Sequence, residues 1–150
     1  MNRAVIALGA GLVLMVATDA ALPATDADEQ AIRQHIERHY FDGVRRSDTG
    51  LAHGAFHPVA NMYFIREGKL VQRSIPDWLA DIARNAPQPA RPDSFQRRVL
   101  EVDVSGNAAT AKLQLDYGKS VITDYMSLLK VGDEWKIVNK VFYAEPKAKP

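Results

Sequence analysis

Strict alternation of apolar and polar residues in the second half of the chain predicts a meander of β-strands. The segment Ala109–Tyr117 places its apolar residues on one face and Thr110, Lys112 and other polar residues on the opposite face. The longest patterned stretch, Thr123–Tyr143, predicts two long strands joined by a tight turn at Gly132–Glu134. Together with Phe95–Val104, these segments predict four consecutive antiparallel strands.

Helical periodicity dominates the first half of the chain. A capping box at Asp26 and Glu29 predicts the start of a helix that runs to about Arg46, with Gly43 inside it, where a close approach by another element would explain a glycine. A short helix over Leu51–Phe56 follows. The sequence then predicts a hairpin of two strands and a third helix that begins at Ser74. The apolar stripe of the first helix comprises Ile32, Ile36, Tyr40 and Val44.

This order of elements predicts an α+β domain in which three N-terminal helices pack on one face of a strongly curved antiparallel sheet. The whole chain has 150 residues, which suffices for one ordinary domain. We predict that residues 25–145 form this domain and that residues 146–150, which are rich in proline and lysine, form a disordered tail.

The first residues predict a secretory signal peptide over residues 1–24. One arginine, Arg3, precedes an apolar run that is too short to span a bilayer comfortably. The preferred cleavage site is at Ala24, with Ala20 and Ala21 as alternatives. We therefore expect a periplasmic or secreted protein that does not stay inserted in the membrane after cleavage.

Composition narrows the function classes further. Apolar residues make up 47% of the chain and charged residues 25%, which is typical of a globular domain. The formal net charge is only +1, so the sequence gives no field for binding nucleic acid. Cysteine is absent, which excludes disulfides, a thiol nucleophile and thiolate-bound zinc.

Four segments resemble a known family. They are Tyr40–Gly43, Ala55–Pro58, Thr123–Lys130 and Trp135–Phe142. With the order of elements, they resemble the putative lumazine-binding proteins of the nuclear-transport-factor-2-like superfamily. The resemblance covers about Asp28 to Tyr143. It implies a cystatin-like cone with a pocket between the helices and the sheet, but it implies no single function, since the superfamily includes isomerases, cyclases, dehydratases and binding modules.

Pairing the last two strands across the turn predicts which side chains enter that pocket. If Val131 faces Trp135, then Ser127 faces Asn139 and Tyr125 lies on the same face. We predict that Tyr125, Ser127 and Asn139 are polar contacts in an otherwise apolar pocket, the alternative being that they satisfy one another within the core.

The opposite face of these strands is predicted to form the outer side of the sheet. It mixes its charges with four apolar residues, which is more apolar than a solvated surface requires. We therefore expect a homodimer that associates through this outer face. The four apolar residues are Met126, Leu128, Val138 and Phe142.

The remaining pocket candidates come from the helices and the first strand. Tyr40 and Trp78 lie on helical stripes that should close the cone, and each has a polar atom that requires a partner when it is buried. Met62 and Phe64 alternate on the first predicted strand, where they would form a wall. All four could equally be core residues, and we include them among the expected ligand contacts.

The candidates for catalysis are Asp124, His57 and Tyr125. In the register above, Asp124 forms an outward ion pair with Lys140, which would contribute little if exposed. If the register differs by one residue, Asp124 points inward and can act as a general base, as a carboxylate does in ketosteroid isomerase of the same superfamily. His57 could act as an acid–base group at the pocket entrance or cap the end of the second helix.

We expect neither a metal nor a cofactor. The histidines form two pairs at helical spacing, His35 with His39 and His53 with His57, but no third ligand occurs at a fixed spacing. The predicted function is binding of a small, partly apolar molecule. The alternatives are a cofactor-free lyase or isomerase and a protein-interaction scaffold.

Overall fold

The computed structural model describes residues 26–85 and 96–148, which contain four α-helices and one π-helical segment. The first predicted helix is observed as a continuous run that ends at Arg46, but its middle is π-helical. There the N–H of Asp42 donates to the carbonyl of Glu37, five residues earlier. The segments are α1 (Asp26–His35), the π-helical segment (Ile36–Phe41), α2 (Asp42–Arg46), α3 (Thr49–Gly54) and α4 (Ile75–Arg84).

Side-chain caps fix the start of the two later helices. Asp48 Oδ1 accepts a hydrogen bond of 2.9 Å from the N–H of Leu51 at the start of α3. Ser74 Oγ accepts one of 3.1 Å from the N–H of Asp77 at the start of α4, where Pro76 lies in the first turn. These bonds satisfy N–H groups that have no partner within the helix. The predicted start of the third helix at Ser74 is confirmed.

Six strands form one sheet in the order β2–β1–β6–β5–β4–β3. A tight turn at Gly132 joins the last two strands, as predicted. The strands are β1 (Phe56–Arg66), β2 (Lys69–Ser74), β3 (Arg97–Ser105), β4 (Ala108–Asp116), β5 (Ser120–Val131) and β6 (Glu134–Pro146).

The sheet is mixed, which corrects the prediction of an antiparallel sheet. Strand β1 pairs in parallel with β6, and all other neighbouring strands pair in antiparallel fashion. Hairpins fix the direction of the antiparallel neighbours, but β1 and β6 come from opposite ends of the domain, so no turn fixes theirs. The predicted α+β class, with N-terminal helices on the sheet, is confirmed.

The core lies between the helices and one face of the sheet. The predicted stripe of the first helix is buried, and it meets the predicted apolar face of β4. Gly43 lies against Ala52 of α3, so the close approach expected at this glycine is confirmed. Fully buried members include Ile32, Ile36, Leu113, Leu115 and Ile137.

Some segments lie outside the described residues. These include the predicted leader 1–24, residues 86–95 between α4 and β3, and the last two residues of the predicted tail. Part of the predicted tail is described: Pro146 pairs with Ser120, and Lys147 forms an ion pair of 2.6 Å with Asp116. None of the helices within residues 26–85 and 96–148 has the length and apolarity needed to cross a bilayer.

Candidate functional site

A cavity of about 290 Å³ lies among the first helical run, α4 and strands β1 and β6. Its wall is mostly apolar and aromatic. At about 30 Å³ for each water-sized group, it has room for a small molecule of about ten such groups. The apolar part of the wall includes Val44, Met62, Phe64, Trp78, Ile82 and Phe142.

Three buried polar side chains meet at this cavity. Tyr40 donates a hydrogen bond of 2.7 Å from its hydroxyl to Asp124 Oδ2. Lys140 Nζ donates to the Tyr40 hydroxyl at 2.7 Å and to Asp124 Oδ1 at 2.5 Å. Tyr40 and Lys140 line the cavity, whereas Asp124 lies behind them with no exposed surface. Asp124 therefore orients the two groups that can touch a ligand.

Three different elements supply the Tyr40–Asp124–Lys140 cluster. Tyr40 lies in the π-helical segment, Asp124 in the middle of β5 and Lys140 on the neighbouring strand β6. In the paired strands, Asp124 faces Phe142 and Met126 faces Lys140, so the two charged residues are diagonal neighbours on one face. This diagonal brings the two side chains together.

Burial changes the protonation of two members of the cluster. Burial, followed by the nearby charge of Asp124, raises the pKa of the Tyr40 phenol well above its usual range. Burial lowers the pKa of the Lys140 ammonium, and the attraction and hydrogen bond of Asp124 offset this only in part. Tyr40 therefore remains a hydrogen-bond donor at neutral pH, and Lys140 gives up its proton more readily than an exposed lysine.

Aromatic rings surround the amine of Lys140. Its Nζ lies 5.0 Å from the ring centre of Phe142, 5.2 Å from that of Tyr40 and 5.8 Å from that of Trp78. Ring faces attract a cation, and this attraction strengthens where water is excluded. The rings therefore help to hold a charged amine in a mostly apolar wall.

Two arginines add positive charge to the same cavity. Arg66 is exposed, so it marks the solvent side, and its guanidinium lies 5.1 Å from the ring centre of Phe64. Arg73 forms an ion pair with Asp81 and donates to the carbonyl of Asp77. Because Asp81 compensates Arg73, Arg66 is the more available of the two for an anionic group.

The structure brings four of the predicted ligand contacts to the cavity. Tyr40, Met62, Phe64 and Trp78 all line it. Tyr40 and Met62 are buried, and the ring centres of Tyr40 and Trp78 lie 6.2 Å apart. Helical and strand periodicity therefore predicted the correct faces for these elements.

The structure places the other three predicted contacts on the wrong face for this site. Tyr125, Ser127 and Asn139 lie on the face of the sheet opposite the cavity, and Tyr125 is 51% exposed. The predicted pairs, Ser127 with Asn139 and Tyr125 with Val141, do occur. The error lies in which face of these pairs turns inward.

A β-bulge explains the error. Pairing shifts between Ser127 and Leu128, so that Leu128, not Leu129, faces Ile137. Ile137 is two residues from Asn139 and three from Lys140. The bulge interrupts the alternation of β6 and turns both Ile137 and Lys140 inward. The prediction that an ion pair joins Asp124 and Lys140 is confirmed, but the pair is buried and not on the outer surface.

The predicted dimer face is wrong in its residues for the same reason. Met126 and Leu128 are buried in the core, and Phe142 lines the cavity. Val138 lies at the bulge and is half-buried. The outward apolar residues of these strands are instead Tyr125, Leu129, Val131, Val141 and Tyr143.

His57 does not cap the end of the second helix, which was one of its two predicted roles. Helix α3 ends at Gly54, and His57 lies on β1, where its Nδ1 accepts a hydrogen bond of 3.4 Å from the N–H of Val59. It is not among the residues that line the cavity. Of the three candidates for catalysis, only Asp124 lies in the cluster.

His35 and His39 lie side by side with ring centres 4.9 Å apart. His35 Nε2 lies 3.1 Å from the carbonyl oxygen of Ala55. Among the described residues, no group of three or more side chains could hold a metal ion. The ring of His39 lies beside Gly54, so the pair contacts the chain where α3 ends and β1 has yet to begin.

Burial lowers the pKa of His35, an effect that the hydrogen bond to Ala55 opposes. As the pH falls through about 6.5, the unfolded chain therefore takes up the proton at this position more readily than the folded protein does, and stability should fall. We expect His35→Gln to weaken this dependence in urea unfolding at about pH 7.5 and about pH 5.5. His53→Gln, in the exposed part of α3, should retain it, and an unchanged dependence in His35→Gln would contradict the assignment.

Sequence patterns did not identify Lys140 as a site residue, nor Phe142 and the arginines Arg66 and Arg73. One feature of the sequence could have identified Lys140 and Phe142. The face with Met126 and Leu128 is more apolar than an outer surface requires, and two opposite charges on that face can compensate each other when they are buried. Together these points predict that this face, with Lys140 and Phe142, points inward.

Residues 27–143 match the model of the family described as "Putative lumazine-binding". No curated protein sequence matches the chain. Solved structures of two proteins of unknown function, both described as nuclear-transport-factor-2-like, have similar folds. One, from Shewanella baltica, has 25% identity and a TM-score of 0.73, with 82% of this chain and 98% of that chain covered. One from Silicibacter pomeroyi has 23% identity and a TM-score of 0.71, with 81% and 99% covered.

Proposed function

The chain belongs to the "Putative lumazine-binding" family, and on that premise we propose that it binds a small, partly apolar molecule that carries an oxygen acceptor. The observation that carries the proposal is the hydrogen-bonding of Lys140. Its ammonium has three hydrogens. Within residues 26–85 and 96–148, only Tyr40 and Asp124 accept from it. The third hydrogen can donate to a ligand in the cavity.

The rest of the cavity supports a flat ligand with an acceptor at one end. Rings of Phe64, Trp78 and Phe142 form much of the wall, and aromatic walls favour planar apolar groups. A carbonyl or carboxylate oxygen would meet the third hydrogen of Lys140, because a buried acceptor needs a donor and the Tyr40 hydroxyl already donates to Asp124. Arg66 could pair with a second anionic group at the solvent side.

Blocking the cavity tests this proposal. Ile82→Trp should fill it from α4, whereas Leu70→Trp adds the same ring at a position on β2 that is 71% exposed. We expect the wild type and Leu70→Trp to bind benzoate in calorimetric titration and to retain a co-purified small molecule in native mass spectrometry. Ile82→Trp should lose both. Equal benzoate binding by both variants, or none by the wild type, would contradict the proposal.

One observation favours a second candidate, a cofactor-free lyase or isomerase. The inward carboxylate of Asp124 meets a phenol and an amine at hydrogen-bond distance, which is a set of acid–base groups. Of these three groups, Tyr40 and Lys140 line the cavity, so they would exchange protons with a substrate, and Asp124 would position them. A binder leaves its molecule unchanged, whereas this enzyme would release an altered one. The open cavity argues against the scaffold alternative.

We also propose a homodimer through the outer face of β5 and β6. Exposed apolar residues cluster there, among them Leu129, Val141 and Tyr143, and a contiguous apolar patch favours association with a second copy. We expect light scattering at micromolar concentration to give a dimer, which Val141→Glu should dissociate. Leu70→Glu, at another exposed position, should leave it intact. A monomeric wild type would contradict this proposal.

Export to the periplasm or the medium is a further proposal, supported by the apolar leader. Helix α1 begins at Asp26, so cleavage after Ala24 would remove none of the described domain. N-terminal sequencing of the protein from its host should begin at Thr25 or a few residues earlier. An intact Met1 would contradict export with cleavage.

A further inference from the structure

We propose that Lys140 condenses with an aldehyde or ketone in the cavity to form an imine. The inference rests on the proposed function, because the carbonyl compound must first enter the cavity. It goes beyond that function by naming the ligand class and a covalent step. Lysines that react in this way combine a desolvated amine with nearby groups that move protons.

The placement of Lys140 meets the first requirement, a desolvated amine that a ligand can reach. The residue is 4% exposed, yet it lines a cavity with room for a small molecule. The ring centres of Tyr40, Trp78 and Phe142 lie 5.0 to 5.8 Å from the nitrogen, so much of its surroundings is apolar. Burial lowers the pKa of the Lys140 ammonium, so the neutral amine forms more readily than on an exposed lysine.

The neighbours of the amine meet the second requirement. Asp124 Oδ1 lies 2.5 Å from Nζ and can accept the proton that the ammonium must lose. The Tyr40 hydroxyl lies 2.7 Å from both Nζ and Asp124 Oδ2, and Tyr40 also lines the cavity. It can therefore pass protons between Asp124 and an oxygen of the ligand.

The atoms balance without any further reactant. Lys140 passes one proton to Asp124, and the nitrogen lone pair forms a bond to the carbonyl carbon while the C=O π pair moves to oxygen. Tyr40 takes a second proton from the nitrogen and delivers one to that oxygen, which gives a carbinolamine. Tyr40 then protonates the hydroxyl, Asp124 returns its proton to Tyr40, and water leaves. The products are a protonated imine and one water molecule.

The charge balance of the core also survives this step. A protonated imine carries the same positive charge as the ammonium that it replaces, and it stays beside the carboxylate of Asp124. A buried carboxylate that loses its cation is strongly destabilising. The positively charged imine therefore still compensates the charge of Asp124. A neutral product would leave this buried carboxylate without a cation.

Reductive trapping tests the inference with the full-length protein. Benzaldehyde and cyanoborohydride at about pH 7 should fix the imine as a benzyl group, because the reagent reduces it to a stable amine. Peptide mass spectrometry should place more of the group on Lys140 than on any exposed lysine, because the desolvated amine lies in the cavity and its pKa is lowered. Lys140→Arg, which keeps the charge opposite Asp124, should lose this label, and Lys69→Arg on the surface should retain it.

Two outcomes would overturn the inference: labels spread evenly over exposed lysines, or no label on Lys140. If Lys140→Arg does not fold, the peptide map of the wild type alone decides between them. Benzoate, which cannot form an imine, separates this inference from the proposed function. Benzoate binding without a label on Lys140 leaves the binding proposal and removes the imine, whereas absence of both removes both.

Discussion

Replacing Lys140 by methionine is expected to lower the free energy of unfolding by about 3–5 kcal/mol. Lys140 and Asp124 are both buried, at 4% and 0% exposure. Methionine would retain much of the packing but remove the cation, leaving a carboxylate in the core. Within the described residues, Tyr40 would be its one remaining side-chain donor. Urea unfolding followed by circular dichroism measures the loss.

A second substitution should recover a large part of that loss. In the double variant Asp124→Asn with Lys140→Met neither of the two positions carries a charge, and the amide oxygen of the new asparagine side chain could still accept from Tyr40. Lys130→Met is the matched control, because it breaks an ion pair with Asp28 whose side chains are 34% and 24% exposed. Its loss should be much smaller. If Lys140→Met costs no more than Lys130→Met, the buried pair does not have the assigned role.

Sequence periodicity predicted the helices and the wall of the cavity because each of these elements buries a single face. In the first helix the apolar residues share one stripe, so Tyr40 had to face the core. On β1, Met62 and Phe64 alternate with more polar neighbours, and strand geometry then places both on one side. Local patterns of this kind carry the information that positions a side chain.

The last hairpin shows where such patterns fail. Strand β5 is apolar on both faces, with Met126 and Leu128 inward and Leu129 and Val131 outward. From the sequence, the inward face can then be chosen only by the polar residues on each face, and the charge of Asp124 predicts that its face points outward. The structure reverses that choice because a carboxylate and an ammonium compensate each other when buried together. Taken singly, neither Asp124 nor Lys140 is predicted to be buried. Their burial can be predicted only when the two residues are considered as a pair.

Two further features depend on contacts distant in the sequence. The bulge between Ser127 and Leu128 adds one residue to β6, and no glycine or proline marks it. The parallel pairing of β1 with β6 joins strands that no turn connects. Tertiary packing selects both features, and together they bring Met62 opposite Lys140. Hence the sequence predicted one wall of the cavity, whereas its polar centre required the structure.

Gly43→Ala is expected to destabilise the domain by about 2 kcal/mol, the middle of the range for overpacked cores. A Cβ at position 43 would lie 2.5 Å from the backbone nitrogen and 2.7 Å from the Cα of Ala52. The same change in an unconstrained helix would stabilise it by about 1 kcal/mol. Helices α2 and α3 would therefore have to separate. This would also strain the segment that carries Tyr40, because α2 directly follows it.

Two variants isolate this steric cause. Gly50→Ala in α3 should be neutral or stabilising, because the nearest atom to its Cβ is Asp48 Oδ1 at 3.5 Å, an ordinary contact. Adding Ala52→Gly to Gly43→Ala should not restore stability, since the backbone atoms of residue 52 remain in place. Urea unfolding of all three variants measures these effects. Full recovery in the double variant would show that only the Ala52 methyl group was in the way, and that the two helix backbones do not meet as closely as the structure indicates.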